Sequence, residues 1–129
     1  MVVIIMKDDC LFCKIVKKEV SSNILYEDED ILVMMDAYPT TDGHALVIPK
    51  KHYEDIYEIP DDYLLKLINI GKSKAKDIMQ KLDKESLSFL FNYGNDQAIK
   101  HIHLHLIPNF IKKEKKMDND EVFKILTKE

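Results

Sequence analysis

The string His101–Ile102–His103–Leu104–His105–Leu106–Ile107–Pro108 constrains this chain more than any other. Imidazole and apolar side chains alternate strictly along it, and a period of two is that of a β-strand. Such a strand puts three imidazoles on one face and Ile102, Leu104 and Leu106 on the other, toward a core. Three rings on an otherwise apolar strand are costly to bury unless each finds a partner. Their clustering therefore points to a metal, an anion or catalysis. The chain holds 5 His and 2 Cys in all, and they fall in three tight clusters. These are Cys10 with Cys13, His44 with His52, and the triple itself.

The segments around this strand set the architecture. CLFCKIVKK, residues 10–18, reads as a short helix with Leu11, Ile15 and Val16 on one side. NILYEDEDILVMMD gives two strands about an acidic turn at Glu27–Asp30. HALVIP, bounded by Gly43 and Pro49, is a third strand. Pro60 to about Leu82 is the long helix, with Pro60 in the first position and Asp61 and Asp62 at the positive end of its dipole. Its inward residues by spacing are Leu64, Leu67, Ile68, Ala75, Ile78, Met79 and Leu82. SLSFLFNYG, residues 86–94, is a further strand, and a tail helix opens at Asp118 with a capping-box pattern to Glu121. Strands joined by short turns favour an antiparallel sheet with the long helix on one face, an α+β fold. We read residues 1–129 as one domain, with a core over about 9–108 and a tail over 109–129.

Composition excludes several function classes. All 19 cationic residues are lysine and the net charge is −4. Without arginine the chain cannot make bidentate guanidinium contacts to phosphate or guanine, so a nucleic-acid polymer is not the expected partner. The apolar start MVVIIMK is too short to span a membrane and has no basic region ahead of it, so we expect a cytoplasmic protein with no membrane partner. In that compartment CxxC reads as a metal half-site or a redox pair. Two chemistries then compete for the histidines. A structural zinc needs two ligands beyond Cys10 and Cys13. A neutral imidazole can instead attack phosphorus and carry a nucleotidyl group.

HIHLHLI resembles the signature of the histidine triad superfamily, His-φ-His-φ-His-φ-φ with φ apolar. CLFCKIVKKEV and YEDEDILVMMDAYPTTDGHALVIPKKHY resemble that family's amino-terminal and nucleoside-binding segments, in the same order. The resemblance implies an antiparallel five-stranded sheet with one long helix and short terminal helices, paired into a ten-stranded homodimer. It implies hydrolysis of nucleoside phosphoramidates or other nucleotidyl conjugates, with purines preferred, through a nucleotidyl-histidine. His103 would be the nucleophile, and His105 and His44 would lie at the phosphate. Leu11, Phe12, Asp36 and Ala37 would surround the nucleoside, and Asn92 and Gln97 would line the phosphate end. Members with this CxxC resemble a zinc-containing subset, in which Cys10, Cys13, His52 and His101 would hold the metal. Dinucleoside polyphosphate hydrolysis and a non-catalytic nucleotide- or zinc-binding module are the alternative readings.

Four features bear on the details. The loop NYGNDQAIKH is short, with Asp96 where relatives have Gly, and Ala98 where the phosphoramidase branch often has Ser. Asn109 stands where relatives often have Arg after Pro108. We read the run Ile111–Lys116 as a solvated charge cluster. Tyr38, Tyr53, Tyr57 and Tyr63 read as packing or interface residues.

Overall fold

The computed structural model describes Lys7 and residues 9–128. The reading of the apolar start at residues 1–6 lies outside the described residues. The elements are α1 (Leu11–Val16), β1 (Ile24–Glu27), β2 (Ile31–Met35), β3 (Ala45–Pro49), α2 (Asp61–Leu82), β4 (Leu87–Leu90), β5 (Leu104–Pro108) and α3 (Asn119–Thr127). One 3-10 turn, Gly94–Asp96, lies between β4 and β5. The strands form one antiparallel sheet in the order β1-β2-β3-β5-β4. This is the α+β architecture expected from the sequence.

Local chemistry explains each junction. Asp28 turns β1 into β2 by accepting the backbone N–H of Asp30 and of Ile31, both at 2.8 Å. Pro60 caps α2 instead of opening it, and the helix ends at Asp83, whose left-handed φ of 53° closes the last turn. Gly43 takes a φ of 89° just before His44, a conformation that favours glycine.

The sheet is covered on both faces. Val33, Val47, Ile102, Leu104 and Leu106 join Leu67, Ala75 and Ile78 of α2 in the larger core. Gly71 lets α2 approach closely, since a Cβ there would lie 2.6 Å from Leu104 Cδ2. The tail joins this core too, through Val122 and Leu126 of α3. On the opposite face α1 lays Phe12, Cys13 and Ile15 over Leu32, Met34, Leu46 and Ile48. The fully buried β2 and β3 alternate between these two cores, residue by residue.

Several boundaries differ from the sequence reading. β5 begins at Leu104, so His101 and His103 precede the ladder. Pro49, the last residue of β3, has no N–H to give, and its carbonyl faces His101 Nε2 at 2.8 Å instead. β4 ends at Leu90, not Gly94. Leu11 is 44% exposed, and Phe12 and Cys13 take the buried side of α1 in its place. Ile68 is 39% exposed on the outer side of α2. Asp118 caps α3 without the side-chain bond a capping box requires. Within the lysine run, Glu114 is bound by Lys84 Nζ at 2.8 Å and by Asn109 Nδ2 at 3.2 Å, so that segment is anchored rather than only solvated.

Candidate active site and metal centre

The side of the sheet occupied by α1 carries both clusters. Cys10 caps α1 and Cys13 lies on its first turn, where the loop holding His52 and the segment entering β5 converge. The ligand atoms of Cys10, Cys13, His52 and His101 all lie within 4.8 Å of one another, and all four residues are buried. Cys13 Sγ is 3.3 Å from His52 Nδ1 and 3.5 Å from His101 Nδ1, and Cys10 Sγ is 3.4 Å from His101 Nδ1. Tetrahedral zinc, with bonds of about 2.3 Å to sulfur and about 2.0–2.1 Å to nitrogen, separates S and N by about 3.5 Å. The donor set and its spacing therefore fit zinc.

The surroundings of this cluster fit as well. His101 Nε2–H donates to the Pro49 carbonyl, which leaves Nδ1 bare toward the sulfurs. Backbone N–H groups of Lys7 and Cys13 point at Cys13 Sγ and Cys10 Sγ, each at 3.4 Å. Burial drives the His101 imidazole down to about 4 and pushes the Cys13 thiol up to about 11. Thiols in such a setting ionise when a cation replaces their protons.

The other three histidines have their protons placed by different partners. His103 Nδ1–H donates to the His101 carbonyl at 2.8 Å, which leaves Nε2 with a free lone pair. His44 Nδ1 accepts the Thr40 backbone N–H at 3.0 Å, so its proton sits on Nε2. That Nε2 lies 3.0 Å from His105 Nδ1 and 3.4 Å from an Asp36 carboxylate oxygen. His105 therefore accepts at Nδ1 and carries its proton on Nε2; Asn92 Nδ2, itself a donor, lies 3.5 Å away, so both N–H groups are free for an incoming acceptor. These tautomers follow from the hydrogen-bond partners. Desolvation lowers the affinity of all three rings for a second proton, taking His105 to about 4. Near neutral pH the site thus sets one bare nitrogen beside one N–H donor.

His103 and His105 sit in the wall of a cavity of about 600 Å³. Leu11, Phe12, Asp36 and Ala37 line it. Gln97 does not: its amide donates to the backbone carbonyls of Glu54 and Ile99, and the side chain is 4% exposed. Asn109 is likewise turned inward, accepting from Ser86 N–H and Oγ–H. Tyr38, read as a packing or interface residue, lies at the cavity wall and is 90% exposed in the single chain. Tyr53 and Tyr63 do pack, edge to face at 5.6 Å, whereas Tyr57 meets Tyr93 edge to face at 5.0 Å at the surface. The sequence reading missed Ser21–Asn23, Met34, Leu46, Ile99 and Asn119, which also line the cavity. Strand pairing held a signal for Leu46, which sits opposite His105.

Residues 9–119 match the family model described as scavenger mRNA decapping enzyme C-term binding. An uncharacterized HIT-like protein of Methanocaldococcus jannaschii is 38% identical over 89% of this chain and 96% of its own length. The adenosine 5'-monophosphoramidase of Saccharomyces cerevisiae is 42% identical over 77% of this chain and 61% of its own length. The crystal structure of a zinc-bound histidine triad family protein from Mycobacterium smegmatis superposes with a TM-score of 0.84 at 32% identity, covering 92% of this chain and 91% of that one. The chain belongs to the histidine triad family. Among the described residues, no helix is long and apolar enough to cross a membrane.

Proposed function

We propose that this protein is a nucleotide hydrolase that cleaves nucleoside phosphoramidates and related nucleotidyl conjugates, releasing nucleoside monophosphate. The observation that carries the reading is the bare Nε2 of His103, set beside the Nε2–H of His105 in the wall of one cavity. Likeness to the yeast phosphoramidase, and to an Arabidopsis thaliana adenylylsulfatase at 34% identity over 80% of this chain, supports it.

The chemistry follows from those atoms. The nucleoside enters the apolar part of the cavity between Phe12 and Leu46, with Asp36 toward the ribose hydroxyls. His103 Nε2 attacks the α-phosphorus and forms a P–N bond while the bond to the leaving group breaks. His105 Nε2–H and the Asn92 amide hold the oxygens as charge builds on them. The His101 carbonyl steadies the positive charge on His103 through the Nδ1–H bond. The leaving group takes a proton from water in the open cavity as it departs. Water then attacks phosphorus, the P–N bond breaks, and the proton that water sheds returns to solvent, freeing the monophosphate and restoring neutral His103. Zinc, when bound, supplies a cross-link among Cys10, Cys13, His52 and His101. The protein acts as a homodimer joined across α2 and the exposed edge strand β4. Leu65, at 60% exposure, and Phe89, at 54%, supply apolar surface there.

The test is AMP release from adenosine phosphoramidate and from diadenosine tetraphosphate. We expect faster turnover of the phosphoramidate, falling by about 10³-fold or more in His103→Ala. Faster cleavage of the dinucleotide would move the protein to the polyphosphate branch. AMP binding without turnover of either substrate would make it a binding module.

A further inference from the structure

We propose that helix α1 couples the metal centre to the nucleotide cavity, so that metal occupancy sets nucleotide affinity. This rests on the nucleotide reading of the cavity given above. The helix has 6 residues, too few to be stable alone. Two of its attachments are the metal donors Cys10 and Cys13. Between and beside them, Leu11, Phe12 and Ile15 form one wall of the cavity. The same short turn of chain therefore serves both sites through neighbouring residues.

Phe12 is the direct bridge. It is 4% exposed and meets His101 edge to face at 5.8 Å and His103 at 5.1 Å. A metal donor and the bare-nitrogen histidine thus share one aromatic neighbour. A second cavity, of about 320 Å³, lies on the metal side and is lined by Cys10 and His52. Leu11, Ala98 and Ile99 line both cavities, so these side chains form the partition between them.

Without the metal, α1 keeps its apolar contacts to Met34, Leu46 and Ile48 but is held to His52 and His101 only by the weaker thiol–imidazole contacts. Ordering its backbone then opposes nucleotide binding. The larger core with α2 lies on the other face of the sheet and does not depend on these ties. Coupling of this kind is reciprocal: whatever factor the metal adds to nucleotide affinity, the nucleotide adds to metal affinity.

The test is Zn²⁺ affinity of the full chain, by competition with a chromogenic chelator, with and without saturating AMP. We expect AMP to tighten Zn²⁺ by about fivefold or more, and chelation to weaken AMP by the same factor. The α2 helical signal in circular dichroism should survive chelation. Phe12→Leu should shrink the factor, and Lys14→Ala, which lines neither cavity, should leave it intact. Zn²⁺ affinity unchanged within about twofold while AMP binds would overturn the coupling and leave the hydrolase reading standing. Loss of the α2 signal on chelation would overturn α1 as its carrier. Failure of AMP to bind the zinc-loaded chain would overturn both.

Discussion

Burial fixes the protonation of the site residue by residue. His105 titrates at about 4 in the fold and near 6.5 in the unfolded chain, and desolvation is the main cause. The unfolded chain therefore binds more protons between these values. The stability that His105 contributes is fully present above pH 6.5 and is lost as pH falls through about 4. His105 also stays a neutral Nε2–H donor throughout mild acid. The rate of AMP release should stay flat through the ordinary histidine range near pH 6.5 and should fall only in more acid solution, where a proton takes the bare Nε2 of His103, whose imidazole burial also lowers. A drop centred on the ordinary histidine value would show that the rings are not desolvated as described. At this scale the sequence was most legible where residue types are rare and their spacing is tight: Cys10, Cys13 and the triple histidines. Gln97 turns away from the cavity because an amide satisfies backbone groups as readily as a phosphate, and nothing in the order of residues distinguishes the two. Asn119 was missed because it reaches the cavity through a tail whose path the local pattern does not encode.

At the scale of elements, the pattern located the three α-helices and five strands among the described residues but not their ends, and it missed the 3-10 turn at Gly94–Asp96. Pairing partners decide where a ladder stops, and Pro49 stopped β5 short of the first two triad histidines. The face assignment survived, because alternation continues through the unpaired residues: Ile102 enters the core with Leu104 and Leu106. Close packing of α2 on β5 sets a further expectation. Gly71→Val would drive its side chain into Leu104 and should cost about 1–3 kcal/mol, read as a fall in denaturation midpoint at unchanged slope. A midpoint equal to the wild type would mean that α2 stands off the sheet. Helix α1 sets another. Removal of bound metal by a chelator should lower Tm by about 5 °C or more, because the cross-link ties α1 to two distant segments. The same chelator should leave the Tm of a Cys10→Ser/Cys13→Ser double variant unchanged.

At the scale of the molecule, local turns announced an antiparallel sheet with one long helix. They did not specify that β5 inserts between β3 and β4, which depends on where α2 returns the chain. That insertion brings His105 opposite Leu46 and within reach of His44, so the His44–His105 hydrogen bond is a product of the strand order. The same order leaves β4 at an edge, with Phe89 exposed on it. If the protein pairs there, Phe89→Glu with Leu65→Glu should halve its mass in sedimentation, and a monomeric wild type would refute that pairing. The central claim concerns a covalent bond, and trapping that bond tests it most directly. Labelled adenosine phosphoramidate, mixed with the enzyme and quenched within one turnover, should leave adenylate on His103, stable to base and labile to acid as a P–N bond requires. The adduct should be absent from His103→Ala. Full-rate AMP release with no adduct in the wild type, or an adduct mapped to another residue, would contradict the account.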